Sequence, residues 1–270
     1  MTNRLRSLWA DGQPSLNGWL SIGCPLTAEI MAEQGYDSIC IDLQHGIVDY
    51  QTSVGMLQAM RASGVVPLVR VPWLDPGAIM KALDAGAMGI ICPMINTAEQ
   101  AAELVSHMRY PPDGNRSFGP TRAHLTAGPD YAAKANGRVL AFAMVETAQA
   151  MNNLDAIAAT DGLDGIYVGP ADLTLGLAQG RLAPGFDREE PEMQAALKRV
   201  VAACKKAGIR AALHCGTPEY AARAAGWGFD MTTVSSDVRL LSAASAASVK
   251  AFRDRLTKPS AAKSPAGTGY

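Results

Sequence analysis

The chain has 270 residues, of which 48% are hydrophobic and 18% charged, and its formal net charge at pH 7 is −1. This length and apolar content allow one large core, and without a basic surplus to neutralise phosphates we expect no nucleic-acid partner. No apolar run reaches the ~18 residues of a membrane span, and residues 1–15 lack the apolar segment of a signal peptide. We therefore predict a cytoplasmic protein without membrane association.

Short β-type runs recur along the chain, and helical segments rich in alanine separate most of them. The predicted strands are Trp19–Gly23, Ser38–Asp42, Pro67–Val71, Gly89–Pro93, Leu140–Glu146, Gly165–Gly169, Arg210–His214 and Asp230–Val234. The predicted helices are Thr27–Gln34, Asp49–Ala62, Pro76–Asp84, Ala98–Met108, Asn152–Ala159, Glu192–Ala207 and Glu219–Ala225. Strand alternating with helix indicates a parallel sheet, and eight such units predict an α/β fold, a (β/α)8 TIM barrel.

The main alternative is a doubly wound open sheet, which usually carries a GxGxxG fingerprint after its first strand. The sequence SIGCPLTAEI, residues 21–30, lacks that spacing. We predict one barrel domain over residues 1–256 and a disordered tail over residues 257–270. A Pro- and Gly-rich insert over residues 109–137 is expected to be a functional loop or an interface.

The cysteines are odd in number and contain no CxxC pair: Cys24, Cys40, Cys92, Cys204 and Cys215. Free, buried thiols in a reducing compartment are the expectation. No lysine lies in a predicted strand or at its carboxyl end. A Schiff-base aldolase needs a desolvated lysine within the barrel, so imine chemistry is disfavoured.

In a barrel of this kind the active site lies at the carboxyl ends of the strands. Polar side chains stand at several of the predicted ends: Asp42, Gln44, His45, Arg70, Glu146 and Asp172. Each of these residues also has a purely structural explanation. Asp172 could be a helix N-cap, Glu146 or Arg70 could belong to an ion pair, and His45 could be a hydrogen-bonded residue of the barrel rim. His214 ends the seventh strand and is a weaker candidate. Convergence of two carboxylates, an imidazole and a guanidinium favours a shared site.

Two carboxylates without a ligating cysteine predict a hard divalent cation with oxygen ligands. Mg²⁺ or Mn²⁺ is the expected cofactor, with Co²⁺ or Zn²⁺ as further candidates. Such a site keeps coordination positions open for substrate oxygens.

Between about Ser15 and Arg255, the chain resembles the HpcH/HpaI aldolase family of metal-dependent class II pyruvate aldolases. The motifs that carry the resemblance are IDLQHG (41–46), PLVRVP (67–72), ALDAGAMGIICPMI (82–95), RYPPDGNRSFG (109–119), MVET (144–147), YVGPADLTLGL (167–177) and VSSDVRLL (234–241). Two positions depart from the family pattern. Gln44 replaces the glutamate of DLEHG, and Met144 replaces a glutamine that contacts substrate.

The resemblance implies a role for each site residue. Glu146 and Asp172 would hold the metal, and Arg70 would face the pyruvate oxygens. His45 would act as the base, with its basicity raised by Asp84. Backbone N–H groups of Ala171 and Asp172 would bind the substrate carboxylate, and position 144 would line the substrate site. A homo-hexamer built from dimers, with active sites completed across subunits, is also implied.

The implied activity is reversible cleavage of a 4-hydroxy-2-oxoacid through a metal-stabilised enolate. The products would be an aldehyde and pyruvate, or a close 2-oxoacid such as hydroxypyruvate. Three alternatives remain open. They are an oxaloacetate decarboxylase, a lyase of the citrate-lyase or malyl-CoA-lyase kind, and a metal or 2-oxoacid binder without turnover.

Overall fold

A computed structural model describes residues 3–257, and its strands close in chain order into a parallel barrel. The strands are β1 (Ser15–Leu20), β2 (Ser38–Asp42), β3 (Val66–Arg70), β4 (Gly89–Cys92), β5 (Leu140–Met144), β6 (Gly165–Val168), β7 (Arg210–Cys215) and β8 (Met231–Val234). The first helices are α1 (Arg4–Ala10), α2 (Pro25–Ala32), α3 (Tyr50–Ala59), α4 (Pro76–Asp84), α5 (Ala98–Met108), α6 (Thr121–Ala127) and α7 (Tyr131–Arg138). They are followed by α8 (Ala148–Asn152), α9 (Leu154–Ala158), α10 (Pro170–Ala178), α11 (Pro191–Ala207), α12 (Pro218–Gly226) and α13 (Asp237–Thr257).

The predicted TIM barrel is confirmed, and most predicted strands lie within two residues of the observed ones. The first strand was placed too late in the chain. Ser15–Asn17 already pair with β8, whereas the N–H groups of Ser21 and Ile22 donate to the Asp237 carboxylate at 2.9 and 3.0 Å. These two residues therefore belong to the loop after β1.

Three helical features differ from the expectation. The helix predicted over Asn152–Ala159 corresponds to α9, and a second short helix, α8, precedes it and ends at Asn152. The insert over residues 109–137 contains α6 and α7, and α1 precedes the barrel. The proline and glycine content of the insert predicted a loop, and for that reason the two short helices were not expected.

The core has two layers. The larger lies between the strands and the surrounding helices, and the smaller fills the barrel interior with side chains such as Trp19, Phe142 and Tyr167. Helix α1 closes the amino end of the barrel. Its Trp9 ring meets Phe142 edge-on with centroids 6.2 Å apart, and the Trp9 indole N–H donates to the Asp230 carbonyl oxygen at 3.0 Å.

The chain forms two compact units. The first ends at Asp237 and contains the barrel. The second begins at Val238, and its described part is the rest of α13, on which Leu241, Phe252 and Leu256 are exposed. The single-domain boundary at residue 256 stays a prediction, and residues 258–270 of the predicted tail lie outside the described residues.

Two smaller expectations can be compared with the structure. All five cysteines are free, and four of them are buried. Over residues 3–257, no helix combines the length and the apolar character that crossing a bilayer requires. The cytoplasmic location itself stays a prediction.

Candidate active site

Asp42 and Arg70 form a bidentate ion pair at the carboxyl ends of β2 and β3. The two residues are register partners in the parallel pair, so their side chains point to the same side of the sheet. Arg70 Nε donates to Asp42 Oδ1 at 2.9 Å, and Nη2 donates to Oδ2 at 2.6 Å. This geometry matches the guanidinium fork to both carboxylate oxygens.

Further contacts hold the pair in place. The Trp19 indole N–H donates to Asp42 Oδ2 at 3.2 Å, and the Arg70 guanidinium carbon lies 4.8 Å from the Trp19 ring centre. Burial alone would raise the pKa of Asp42, but the Arg70 guanidinium and two backbone N–H groups outweigh it and lower that pKa. Asp42 is therefore an anion at neutral pH, and its two hydrogen bonds fix the orientation of Arg70.

His45 follows Asp42 in a tight loop at the same end of the barrel. The N–H groups of Gln44 and His45 donate to Asp42 Oδ1 at 3.0 and 3.2 Å. A Cβ at Gly46 would lie 2.3 Å from the Asp42 carbonyl oxygen, so this loop requires glycine there. The His45 side chain is exposed, which leaves the imidazole accessible at the barrel mouth.

Glu146 lies in the loop after β5 and is only 2% exposed. Its Oε1 accepts the Met94 N–H at 2.8 Å, and Met94 adopts a left-handed backbone with φ of 57°, which is strained for a residue other than glycine. A Cβ at Gly169 would lie 2.4 Å from Glu146 Oε2. The glycine therefore leaves room for the carboxylate against the end of β6.

The electrostatics of Glu146 set it apart from the other carboxylates. Burial, aided by the negative charge of Asp172, raises the pKa of Glu146 to about 7, against the lowering effects of the Met94 N–H and of Arg70. Two carboxylates thus influence each other at the mouth. A cation would relieve the cost of ionising Glu146.

Asp172 lies in the first turn of α10 and is exposed to solvent. The alternative that Asp172 caps this helix is wrong, because Gly169 occupies the N-cap position and Pro170 begins the helix. The N–H groups of a helix's first turn lack acceptors within the helix. Those of Ala171 and Asp172 are consequently available for an anionic group at the mouth.

The donor set is consistent with a hard divalent cation. Within residues 3–257 no group of three or more His, Cys, Asp and Glu side chains is arranged to hold a metal. If a cation binds at the mouth, Glu146 and Asp172 would supply two oxygen ligands, and waters or substrate oxygens would complete the coordination. Magnesium is commonly bound in this way, by one or two carboxylates. The raised pKa of Glu146 supports the fit.

Asp84 lies elsewhere in the chain's fold. It ends α4, five residues before β4 begins at Gly89, so it belongs to the amino end of the barrel. Strands of four to six residues separate the two ends by about 13–20 Å at ~3.3 Å per residue. Asp84 instead accepts from Arg116 Nη2 at 2.6 Å. The predicted pairing with His45 is not formed within one subunit.

Met144 and His214 both occupy the interior near the mouth. Met144 is 2% exposed, and its methyl carbon lies 3.0 Å from the place of a Cβ at Gly169. Its side chain is thus a neighbour of the Glu146 carboxylate that has no hydrogen-bond donor. His214 Nδ1 lies 3.1 Å from the Tyr167 hydroxyl, and Phe186 stacks on its ring.

Sequence reasoning missed three parts of the site. The strand ends could have revealed that Asp42 and Arg70 are paired, since both were predicted to close adjacent strands. Neither the contact of Trp19 with both residues nor the Met94 N–H bond to Glu146 has a local sequence signal.

The comparisons with known proteins identify the family of the chain. The HpcH/HpaI aldolase/citrate lyase family matches residues 18–244. A hydroxypyruvate/pyruvate aldolase of Rhizorhabdus wittichii is 43% identical over 242 residues, which cover 90% of this chain and 95% of the relative. A 4-hydroxy-2-oxovalerate aldolase of Novosphingobium aromaticivorans is 42% identical over 213 residues, which cover 77% of this chain and 79% of the relative.

A solved structure supports the same relationship. The crystal structure of an HpcH/HpaI aldolase/citrate lyase family protein from Burkholderia cenocepacia superposes with a TM-score of 0.85 at 35% identity, covering 93% of this chain and all of that one. The barrel, the strand-end residues and the matches over most of the chain therefore lead to one conclusion: the chain belongs to the HpcH/HpaI aldolase/citrate lyase family and is a carbon–carbon lyase.

Proposed function

We propose that this chain is a class II aldolase that reversibly cleaves 4-hydroxy-2-oxoacids to an aldehyde and pyruvate or hydroxypyruvate. The observation that carries the proposal is the arrangement at the mouth. A buried Glu146 with its pKa raised to about 7 is influenced by the charges of both Asp172 and Arg70. The names of the relatives, hydroxypyruvate/pyruvate aldolase and 4-hydroxy-2-oxovalerate aldolase, support the substrate class.

In this proposal the 2-oxoacid is held by positive groups at the mouth. Arg70 uses Nε and Nη2 for Asp42, so Nη1 is the nitrogen left to face a substrate oxygen. The first-turn N–H groups of Ala171 and Asp172 bind the substrate carboxylate. The fixed guanidinium adds electrostatic stabilisation where negative charge develops on the keto oxygen.

Glu146 and Asp172 would hold Mg²⁺ or Mn²⁺ beside that oxygen. When bound, such a cation supplies positive charge that stabilises an oxyanion without a proton transfer. The hydrogen bond from the Met94 N–H keeps the Glu146 carboxylate oriented. Because this carboxylate is buried, bulk water has little access to the oxygens that would bind the cation.

His45 moves the proton. In the synthetic direction its imidazole removes a proton from the carbon next to the keto group. That carbon then attacks the aldehyde carbon, and the former aldehyde oxygen takes up a proton to become the 4-hydroxyl. In the cleavage direction the 4-hydroxyl loses its proton, the bond between C3 and C4 breaks, and the 2-oxoacid carbon regains a proton. An exposed imidazole can both accept and donate a proton, which suits both directions.

Deuterium exchange of the pyruvate methyl group in D₂O tests the proposal. We expect exchange that stops after EDTA treatment and returns with Mn²⁺ or Mg²⁺, and aldol products from pyruvate with a panel of aldehydes. Asp172→Ala should weaken metal binding, whereas Glu33→Gln, at the exposed end of α2, should not. Full exchange by the metal-free enzyme would contradict the metal role.

Three further outcomes would redirect the assignment. Exchange without any aldol product, together with release of CO₂ from oxaloacetate, would indicate a decarboxylase. Cleavage of a CoA thioester would indicate the citrate-lyase branch of the family. Binding of a 2-oxoacid without exchange would indicate a non-catalytic binder.

A further inference from the structure

A second cleft lies at the amino end of the barrel, away from the mouth. It has a volume of about 400 Å³ and is lined by residues that connect β3, β4 and the insert helices α6 and α7. This volume falls within the range of small-molecule sites, about 300–1,000 Å³. Among residues 3–257, no aspartate or glutamate lines its wall, whereas four arginines do: Arg4, Arg61, Arg122 and Arg138.

Two of these arginines are neutralised and two are not. Arg4 pairs with Asp37 at 3.2 Å, and Arg138 pairs with Asp130 at 3.7 Å. The Arg61 side chain has no hydrogen-bond or ion-pair partner within residues 3–257, and its charge acts on Arg122. Burial and that neighbouring positive charge lower the pKa of Arg122. Two guanidinium groups therefore face the cleft without an opposing carboxylate.

The Arg122 guanidinium is held in place by the backbone. Its Nη2 donates to the Leu57 carbonyl oxygen at 3.1 Å, and its Nη1 donates to the Ala85 carbonyl oxygen. Gly86 makes room for it, because a Cβ at Gly86 would lie 2.6 Å from Nη1. A rigid cation of this kind loses little conformational entropy when it binds an anion.

The remainder of the wall is largely apolar and includes the buried side chains of Met60, Val66 and Ala87. An apolar wall with two uncompensated cations complements a ligand that has an anionic head and an apolar body. We propose that this amino-end cleft binds a small organic anion, a carboxylate or a phosphate monoester, with its charge on Arg61 and Arg122. The cleft is separate from the mouth of the same subunit, because the two lie at opposite ends of the barrel.

Isothermal titration calorimetry at low ionic strength tests the proposal with phenyl phosphate and benzoate, and with phenol as the neutral comparison. We expect phenyl phosphate or benzoate to bind and phenol to bind far more weakly; the stronger of the two anions identifies the preferred head group. Arg61→Gln should lower the affinity for the anion about 10- to 100-fold, because it removes a hydrogen bond from a charged donor. Arg61→Lys should retain more affinity than Arg61→Gln.

Two variants outside the cleft serve as controls. Arg199→Gln changes an exposed arginine of α11 that does not line the cleft and should keep wild-type affinity. Glu146→Gln, at the mouth, should also keep it. Equal affinity in Arg61→Gln and wild type, equal binding of phenol, loss of binding in Glu146→Gln, or no anion binding at millimolar concentration would each overturn the proposal. Thermal midpoints of all variants verify that they are folded.

Discussion

The guanidinium of Arg70 is bound to Asp42 through two hydrogen bonds of 2.9 and 2.6 Å, and the two residues end neighbouring strands. Asp42→Asn keeps the shape of the side chain and removes its charge, which leaves a largely buried cation. Breaking a buried ion pair costs about 3–5 kcal/mol. We expect a free energy of unfolding lower by about that amount, measured in urea, and a reduced kcat/KM for the 2-oxoacid.

The matched control is Asp11→Asn, an exposed acid next to α1, which should leave both quantities unchanged. If Asp42→Asn kept the stability and activity of the wild type, the pair would have no role in orienting Arg70.

The raised pKa of Glu146 predicts a pH-dependent stability. The folded pKa of about 7 lies above the ordinary value of 4.5, so the folded state retains this proton at pH values where the unfolded state has lost it. Stability of the metal-free protein should therefore fall as pH rises from about 4.5 to 7. Glu146→Gln removes the ionisation and should be more stable than wild type above pH 7, by up to about 3 kcal/mol.

The difference between the two proteins should vanish near pH 4, where Glu146 is protonated in both states. Thermal melts of both proteins in EDTA, from about pH 4 to above pH 7, measure this difference in stability. A constant difference at all pH values would mean that Glu146 ionises normally. Added Mn²⁺ should reverse the ranking, since the cation needs the carboxylate of the wild type.

His45→Ala should reduce deuterium exchange at the pyruvate methyl group by about 10²–10⁴-fold, the usual cost of losing a general base. Metal binding should persist, because the proposed ligands are Glu146 and Asp172. His107→Ala is the control, as this histidine lies on α5 and contacts Glu103 at 3.2 Å. Exchange at the wild-type rate in His45→Ala would remove the histidine from the proton transfer.

Asp84 can serve His45 only from another subunit, because the two residues lie at opposite ends of one barrel. We predict a homo-hexamer, and light scattering should give a mass near six times the 28.3 kDa chain. His45→Ala and Asp84→Asn should each be impaired, the second more mildly. Subunits of the two variants, dissociated and reassembled together, should regain activity at about one quarter of the sites, those with both residues intact.

No recovery on mixing, with both variants assembled, would contradict a role for Asp84 across subunits. A monomer near 28.3 kDa would contradict the assembly itself. Melting temperatures are needed for Asp84→Asn, because Arg116, whose side chain is fully buried, would lose its carboxylate partner.

Met144 gives the interior wall beside Glu146 an apolar surface. A thioether cannot donate a hydrogen bond to the hydroxyl of hydroxypyruvate, whereas it packs well against the methyl of pyruvate. Met144→Gln should therefore raise the kcat/KM ratio of hydroxypyruvate to pyruvate by about tenfold, the worth of one hydrogen bond. Met144→Leu, the apolar control, should keep the ratio, and an unchanged ratio in both variants would exclude position 144 from substrate selection.

The alternation of strands and helices was sufficient to predict the barrel and its mouth. Strands such as Ser38–Asp42 are short, apolar and followed by helical segments, and a closed parallel barrel then brings every strand's carboxyl end to one side. For that reason His45, Arg70, Glu146 and Asp172 could be placed together before any contact was known. The same local rules failed for β1, where the Asp237 carboxylate, more than 200 residues away, binds the N–H groups of Ser21 and Ile22.

The tertiary structure alone decided how these groups are charged and restrained. The pKa of Glu146 depends on burial by segments distant in sequence and on the Met94 N–H, which a left-handed backbone directs to it. Residue type cannot encode either effect. Asp84 shows the converse: helices in a barrel run antiparallel to the strands, so a residue at the end of α4 lies at the amino end, whatever chemistry its motif implies.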